Sequence, residues 1–332
     1  MDAAGACSPY RKPFMTHPSS TRRRLIQGAA AALALPSFAG FAQAPARQLR
    51  IGNQKGNLNL LKGRGTLEKR LAPLGVALHW TEFTAGPVQL EALSVGSIDF
   101  GDVGEAPPIF AQAAGAPLAY VAATVPRPQS EAVLLPKDSA IRSVAELKGR
   151  KVALNKGSNV HYFLVKLLEK HGLGYGDVNV VFLAPADARA AFEKGSIDAW
   201  VIWDPFFAAA EKTLGARVLA DATGVVGNRA YYFSSLGYAQ KNADVIKILI
   251  EELDKVDKWG QANQGEFATE LAQLWGIPKP VVDAAVARSR YGTGPITQAI
   301  LAEQQKIADT FFDLKLLPKR IQVREAAAPG IA

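Results

Sequence analysis

The chain contains very little cysteine. Cys7 is the one cysteine in 332 residues, and it precedes an Ala-rich apolar run that resembles an export signal. Removal of that signal leaves a chain without thiols, which excludes disulfides, a thiol nucleophile and a thiolate metal site. A lipoprotein anchor is also excluded, because its cysteine would follow the apolar run. This composition suits an oxidising compartment.

Several other patterns are missing. No nucleophile elbow, phosphate-binding loop or metal-ligand spacing occurs in the sequence. The net charge of +8 comes from scattered Lys and Arg, so no basic stripe indicates a nucleic-acid partner. No apolar stretch reaches the ~20 residues that cross a membrane. We therefore expect no catalytic residue, metal or cofactor, no nucleic acid and no membrane span, in a soluble monomer.

Residues 1–46 resemble an export signal with an upstream extension. Arginines at 22–24 precede the apolar run, which ends in small residues. The arginine cluster is also similar to a twin-arginine signal. Cleavage after Ala44 fits this pattern, Ala46 is the alternative, and Met15 is an alternative start. The predicted location of the mature protein is the periplasm.

The sequence repeats itself at a nearly constant offset. Gly-Ser-Ile-Asp occurs at 96–99 and again at 195–198. Lys-Gly at 55–56 recurs at 156–157, and Leu-Glu-Lys at 67–69 recurs at 168–170. Three landmarks in the same order predict two copies of one structural unit of about 80 residues.

Each copy alternates predicted strands with predicted helices, which is typical of a mostly parallel sheet with helices on both faces. The last ~90 residues are mainly helical, and 231–241 is predicted to be extended. We expect an α/β protein with two doubly wound lobes. Lobe 1 comprises 47–130 and 226–332, and lobe 2 comprises 131–225. Two crossing segments would form a hinge beside a cleft.

The loops that follow the parallel strands should meet in this cleft. Gln54 and Ser158 lie in matching loops, each before a predicted helix, and Gly86 starts another. Helix starts offer free N–H groups and attract anions. Glu105 and the pair Trp203-Asp204 follow the third strand of each copy, where the copies differ most. We interpret the repeated Asp99 and Asp198 as structural.

Four segments carry a family likeness. They are NQKGN (53–57), TAGPVQLEALSVGSIDFGDVGEAPPIFAQAAGAPLAYV (84–121), LKGRKVALNKGSNVH (147–161) and PADARAAFEKGSIDAWVIWDPFFAAA (185–210). These segments resemble the periplasmic binding proteins of ABC importers for aliphatic sulfonates. The resemblance implies a type II periplasmic binding fold and capture of an alkanesulfonate. It further implies delivery to a membrane permease and its ATPase for sulfur acquisition.

The resemblance also implies a set of ligand-binding residues: Gln54, Gly86, Glu105, Ser158, Asn159, His161, Asp187, Trp203 and Asp204. A sulfonate is a permanent anion, and helix-start N–H groups can bind it without a dedicated arginine. The three carboxylates in the set would repel it. They would instead hold a loop, or contact an amine or hydroxyl at the far end of the ligand. For His161, a surface or core position is the alternative.

Other ligands remain open at this level. Taurine, an aromatic sulfonate, a sulfate ester and nitrate are alternatives within the same broad family. A pyrimidine-forming enzyme of thiamine biosynthesis shares the fold class. Its chemistry resembles an iron- and cysteine-dependent process, which a cysteine-free mature chain with an export signal does not support.

Overall fold

The computed structural model of the protein describes residues 47–328. The predicted export signal, Cys7, the alternative start at Met15 and both cleavage sites lie outside these residues. No helix among residues 47–328 combines the length and the apolarity that crossing a membrane requires.

Within these residues, eleven strands form two sheets. The strands are β1 (Arg47–Asn53), β2 (Val76–Glu82), β3 (Phe100–Gly104), β4 (Leu118–Thr124), β5 (Glu131–Leu135), β6 (Lys151–Leu154), β7 (Asn179–Phe182), β8 (Ala199–Trp203), β9 (Arg217–Asp221), β10 (Ala230–Ser235) and β11 (Thr293–Gly294).

The same part of the chain contains twelve α-helices. They are α1 (Asn57–Arg64), α2 (Thr66–Leu71), α3 (Gly86–Ser94), α4 (Pro107–Ala113), α5 (Asn159–Lys170), α6 (Pro185–Glu193), α7 (Phe206–Leu214), α8 (Leu236–Lys241), α9 (Ala243–Ala262), α10 (Gln264–Trp275), α11 (Lys279–Arg288) and α12 (Gln298–Asp313).

The two sheets share one strand order. Lobe 1 has the order β2-β1-β3-β10-β4, with β11 added at the edge, and lobe 2 has the order β7-β6-β8-β5-β9. In each sheet one antiparallel strand, β10 or β5, lies between parallel neighbours. The two copies of the sequence repeat therefore fold alike.

The chain crosses between the sheets twice, at 125–130 and at 222–229. The two crossings are hydrogen-bonded to each other. The N–H of Arg127 donates to the carbonyl of Gly227 at 3.0 Å, and that of Ala222 to the carbonyl of Pro128 at 3.2 Å. The fold is thus two doubly wound α/β lobes joined by a two-strand hinge. We propose that the lobe boundaries lie at these crossings, close to residues 130 and 226.

Apolar side chains cover both faces of each sheet. In lobe 1 one face packs on helices α1, α2, α9 and α10, and the other packs on α3, α4 and α12. In lobe 2 helix α5 covers one face, and helices α6 and α7 cover the other. Each lobe therefore has its own core, and the loops at the strand ends are left to form the cleft.

The repeated tetrapeptide has a structural role in both lobes. Asp99 Oδ2 accepts the backbone N–H of Arg50 at 2.9 Å, and Asp198 Oδ2 accepts that of Lys151 at 2.7 Å. Each aspartate ties the start of the third strand of its repeat copy to the first strand of that copy. This contact explains why Gly-Ser-Ile-Asp recurs.

Two local predictions need correction. Only the first part of 231–241 is a strand, because Ser235 caps a short helix, α8. The hydroxyl of Ser235 accepts the N–H of Tyr238 at 3.3 Å, which favours a helix start over continued extension. Strand β9 was not predicted at all; its residues are all half-buried at one edge of the sheet.

Candidate ligand-binding cleft

A cleft of about 260 Å³ lies between the two sheets. Loops at the carboxyl ends of parallel strands line it from both lobes, as is usual for ligand sites in such sheets. The hinge crossings form part of its wall, and helices α10 and α11 add side chains from lobe 1.

Six of the nine predicted site residues line this cleft: Gln54, Gly86, Ser158, Asn159, Trp203 and Asp204. The other three do not line it: Glu105, His161 and Asp187. Arg127 and several aromatic residues line it without having been predicted.

Gln54 and Gly86 shape the lobe 1 side. The side-chain amide of Gln54 donates to the backbone carbonyl of Asp102 at 2.9 Å, which joins the loop after β1 to strand β3. A Cβ built on Gly86 would lie 2.8 Å from the Pro107 ring. A side chain has no room at this position, so glycine lets helix α3 start directly against helix α4.

Two helix starts face the cleft from opposite lobes. Helices α3 and α5 both begin without a side-chain cap and without an acidic residue in the first turn. Ser158, the residue before α5, is buried and donates its hydroxyl to the carbonyl of Asn155 at 2.7 Å. Free N–H groups and the positive ends of two helix dipoles therefore point toward the same space.

Asn159 connects the lobes at the hinge. Its amide donates to the carboxylate of Glu131 and to Asn228 Oδ1, the latter at 3.1 Å. A Cβ on Gly104 would lie 2.9 Å from the Asn159 Cβ, so the two lobes touch here. The Asn159 amide is thus already engaged by the protein, and this residue organises the floor of the cleft.

Trp203 and Asp204 form the lobe 2 wall. The Trp203 ring packs edge-on against Phe206 with ring centres 6.0 Å apart. Asp204 accepts the N–H of Ala208 at 3.0 Å and lies 3.4 Å from Arg288 Nε. Burial raises the pKa of Asp204 to about 7, although the Arg288 charge opposes this shift.

Glu105 is buried beneath the cleft. Its Oε2 accepts the backbone N–H of Arg229 at 3.3 Å, and its own carbonyl accepts the amide of Gln304. Burial raises the pKa of this carboxyl to about 7. Glu105 therefore belongs to the interior of lobe 1, beside the hinge.

His161 is fully buried in an aromatic cluster. Its neighbours are Phe110 and Phe311 from lobe 1, and Tyr175 and Phe182 from lobe 2. Burial lowers its pKa to about 4, so the ring is neutral near pH 7. Nδ1 accepts the N–H of Gly157 at 3.2 Å, which places the proton on Nε2, 2.7 Å from the Tyr175 hydroxyl.

Asp187 is exposed in the first turn of helix α6. A negative charge at this position favours the helix through its dipole. The loop after β7 lies outside the cleft. Asp187 therefore does not reach the site, although Gly86, which follows the equivalent strand of lobe 1, does.

Arg127 is the most informative residue that the sequence analysis missed. It lies in the first hinge crossing and lines the cleft. Its Nε is buried and has no hydrogen-bond partner within the described residues. The predicted crossing near residue 130 was a usable signal, because a hinge segment borders the cleft. A dedicated arginine was nevertheless not expected.

Aromatic residues were also missed. Tyr232 comes from β10, Trp275 from the end of α10, and Tyr291 from the segment after α11. None of them lies in the repeated units. The sequence repeat therefore gave no indication that they would reach the site.

The matched strand orders, the double crossing and the interlobe cleft define a type II periplasmic binding fold. Residues 75–262 match the family model described as NMT1/THI5 like. The chain belongs to that family.

Relatives of high similarity are sulfonate-binding proteins. The chain is 40% identical over 307 residues to an aliphatic sulfonates-binding protein of Escherichia coli (strain K12), covering 91% of this chain and 96% of the relative. It is 30% identical to the Bacillus subtilis (strain 168) protein of the same description, covering 84% and 85%. The alkanesulfonate-binding protein SsuA from Xanthomonas axonopodis pv. citri, bound to MOPS, superposes with a TM-score of 0.81 at 41% identity, covering 85% and 98%.

Proposed function

We propose that the protein captures aliphatic sulfonates in the interlobe cleft and delivers them to the membrane permease of an ABC importer for sulfur acquisition. The observation that carries this proposal is that Arg127 lines the cleft without an ion-pair partner among the described residues. In residues 47–328, two cationic side chains line the cleft, those of Lys55 and Arg127, and Lys55 is paired with Glu82 at 3.3 Å. Within the described residues Arg127 has no carboxylate at ion-pairing distance, so its charge is available to an anion.

The helix starts supply further donors. A sulfonate has three acceptor oxygens and keeps its negative charge at all relevant pH values. Arg127 and the uncapped starts of α3 and α5 together match that charge and number of acceptors. This set of donors supports an anionic head group bound between the lobes.

The size and the wall of the cleft favour an organic anion. The cavity of about 260 Å³ is many times larger than the roughly 10–15 Å³ that one water molecule needs. Nitrate fills only part of this volume. Trp203 and Phe206 give the lobe 2 side an apolar surface that suits a short alkyl chain.

We assign two roles to the predicted site residues. Ligand contact is proposed for Arg127 and for six predicted residues: Gln54, Gly86, Ser158, Asn159, Trp203 and Asp204. For Asn159 we propose contact through the backbone N–H, because its side-chain amide is engaged by the protein. Structural support of the cleft is proposed for Glu105 and His161, and stabilisation of helix α6 outside the cleft for Asp187. The relatives described above are binding proteins, and we propose binding without catalysis for this chain as well.

We further propose a periplasmic monomer, exported by the twin-arginine route. Replacing the arginines at 22 and 23 by lysine should abolish export of a tagged full-length chain. Export through the general secretory route would continue and would contradict this part of the proposal. Light scattering coupled to size exclusion measures the oligomeric state.

Arg127→Ala tests the function directly. Calorimetry with butanesulfonate should show binding to the wild type and about 10- to 100-fold weaker binding to the variant, because one charged hydrogen-bonding partner is lost. Arg189→Ala removes an arginine from the outer surface of lobe 2, where it pairs with Glu193, and serves as the control. Unchanged affinity in Arg127→Ala, or no binding to the wild type, would contradict the proposal.

A further inference from the structure

We propose that Asp102 is a specificity-determining residue that favours sulfonates carrying an ammonium group at the far end of a short chain. This inference rests on the proposed function and narrows its ligand class to ω-aminoalkanesulfonates.

One oxygen of the Asp102 carboxylate lacks a hydrogen-bond donor at the cleft, and the residue as a whole is half-buried. It lies near the end of β3 and lines the cavity. Its Oδ1 is buried and accepts no hydrogen bond within the described residues. A Cβ on Gly56 would lie 3.6 Å from Oδ2, so the glycine leaves the space beside this oxygen open. A buried carboxylate without a full set of partners is costly, and a bound cation would offset that cost.

The other carboxylates around the cleft already have partners. Glu82 is 3.3 Å from Lys55, and Asp204 is 3.4 Å from Arg288. Asp257, behind the wall, accepts hydrogen bonds from Asn57 and from the Thr293 hydroxyl. Among the described acidic residues that line the cleft, Asp102 is thus the one without an ion-pair partner.

The charge balance of the cleft points to a zwitterion. Among residues 47–328, Arg127 is the one cation that lowers the pKa of Asp102. When a sulfonate neutralises Arg127, the charge of Asp102 loses this compensation inside a closing cleft. A simple alkanesulfonate leaves that charge unbalanced, whereas an ammonium group on the same ligand balances it.

Aromatic residues complete a site suited to an ammonium group. Tyr232 pairs with Asp102 in the register of β10 and β3, so both side chains rise on the same face of the sheet. Trp275 and Tyr291 line the same cavity. Aromatic faces attract cations, and a carboxylate among aromatic rings is a favourable environment for an ammonium group.

The ionisation of Asp102 makes the proposed ligand preference dependent on pH, which provides a second test. Burial raises its pKa to about 6, while Arg127 and hydrogen bonds from Gln54 and Gln89 oppose that shift. Asp102 is therefore mostly charged at pH 7.5 and mostly neutral at pH 5. An alkylammonium group stays protonated throughout this range.

The experiment compares 3-aminopropanesulfonate with propanesulfonate by calorimetry. The wild type at pH 7.5 should bind the amino compound about tenfold more tightly. Asp102→Asn should bring the two affinities close together while it retains or improves propanesulfonate binding. Asp138→Asn, which removes an exposed carboxylate after β5, should keep the wild-type preference.

Each outcome decides a different question. Failure of propanesulfonate to bind the wild type overturns the proposed function. Binding of propanesulfonate with equal or weaker binding of the amino compound overturns only this inference, as does an equal loss for both ligands in Asp102→Asn. If that variant does not fold, the wild-type preference must still fall between pH 7.5 and pH 5. A constant ratio of the two affinities would overturn the inference.

Discussion

The loop after the first strand of each repeat copy has a different role in the two lobes. In lobe 1 the loop ends at Gly56, and Asn57 is the first residue of helix α1. The side chain of Asn59 accepts the N–H of Gly56 at 2.9 Å, and Asn57 donates to the buried carboxylate of Asp257 on α9. The start of α1 is therefore satisfied by the protein itself and lies next to a negative charge.

In lobe 2 the matching loop contains Gly157 and Ser158 before helix α5. No side chain caps this helix, and its first turn carries no acidic residue. Gly157 is left-handed, with φ 72°, and its N–H is turned to His161 rather than to the cleft. The lobe 1 loop thus links helix α1 to α9, whereas the lobe 2 loop leaves the start of helix α5 free to bind an anion.

Ser158→Asp should remove this difference between the two loops, with the largest expected loss of ligand affinity. Asp is a favoured N-cap, so the fold should hold while a carboxylate fills the helix start. Two like charges about 4 Å apart near a protein surface repel by up to ~4 kcal/mol, so butanesulfonate affinity should fall at least ~100-fold. Calorimetry measures the affinity.

Asn57→Ser is the matched control in lobe 1. It removes the hydrogen bond to Asp257 and should cost about 1 kcal/mol of unfolding free energy in urea, with little change in ligand affinity. If both variants lost affinity to the same degree, the two loops would be equivalent and the comparison would be wrong.

The ends of the third strands differ as well. Glu105 of lobe 1 is buried beside the hinge, whereas Asp204 of lobe 2 faces Arg288 of lobe 1. The Arg288 guanidinium also pairs with Glu211 at 2.6 Å and stacks 3.7 Å over the Phe207 ring. Helix α11, outside the repeat, thus holds lobe 2 through its charges and an aromatic face.

Arg288→Ala should therefore weaken butanesulfonate binding about tenfold, mainly through faster release, because the closed arrangement loses an interlobe cation. Stopped-flow dissociation measures the rate, and small-angle scattering reports closure. Arg320→Ala is a close match within lobe 1, since Arg320 pairs with Asp309 and Asp313 and lies over Phe312. Equal dissociation rates in the two variants would show that Arg288 does not hold the lobes together.

The repeat explains which parts of the site were predictable. Loops after parallel strands meet at one edge, so Gln54 and Ser158 followed from the two matched copies. Arg127 and Trp275 come from a crossing and from a C-terminal helix, and only the assembled lobes bring them together. His161 was ambiguous because the first half of α5 is buried on every side, so helical periodicity indicates no direction.

Glu105→Gln sharpens the contrast between the two third-strand carboxylates and should have the smallest effect on ligand affinity. Burial raises the Glu105 pKa to about 7 from an ordinary value of 4.5. Between these values the folded state holds a proton that the unfolded state has released, so stability falls as pH rises through this window and levels off above it. The glutamine variant has no such proton. Because one pKa unit corresponds to about 1.36 kcal/mol, the variant should gain roughly 2 to 3 kcal/mol of unfolding free energy relative to the wild type between pH 5 and pH 8 in urea unfolding. Sulfonate affinity should stay constant in this variant, because the Glu105 carboxyl lies below the cleft. If the difference in unfolding free energy between variant and wild type were the same at both pH values, Glu105 would be charged in the folded protein, which would contradict the prediction.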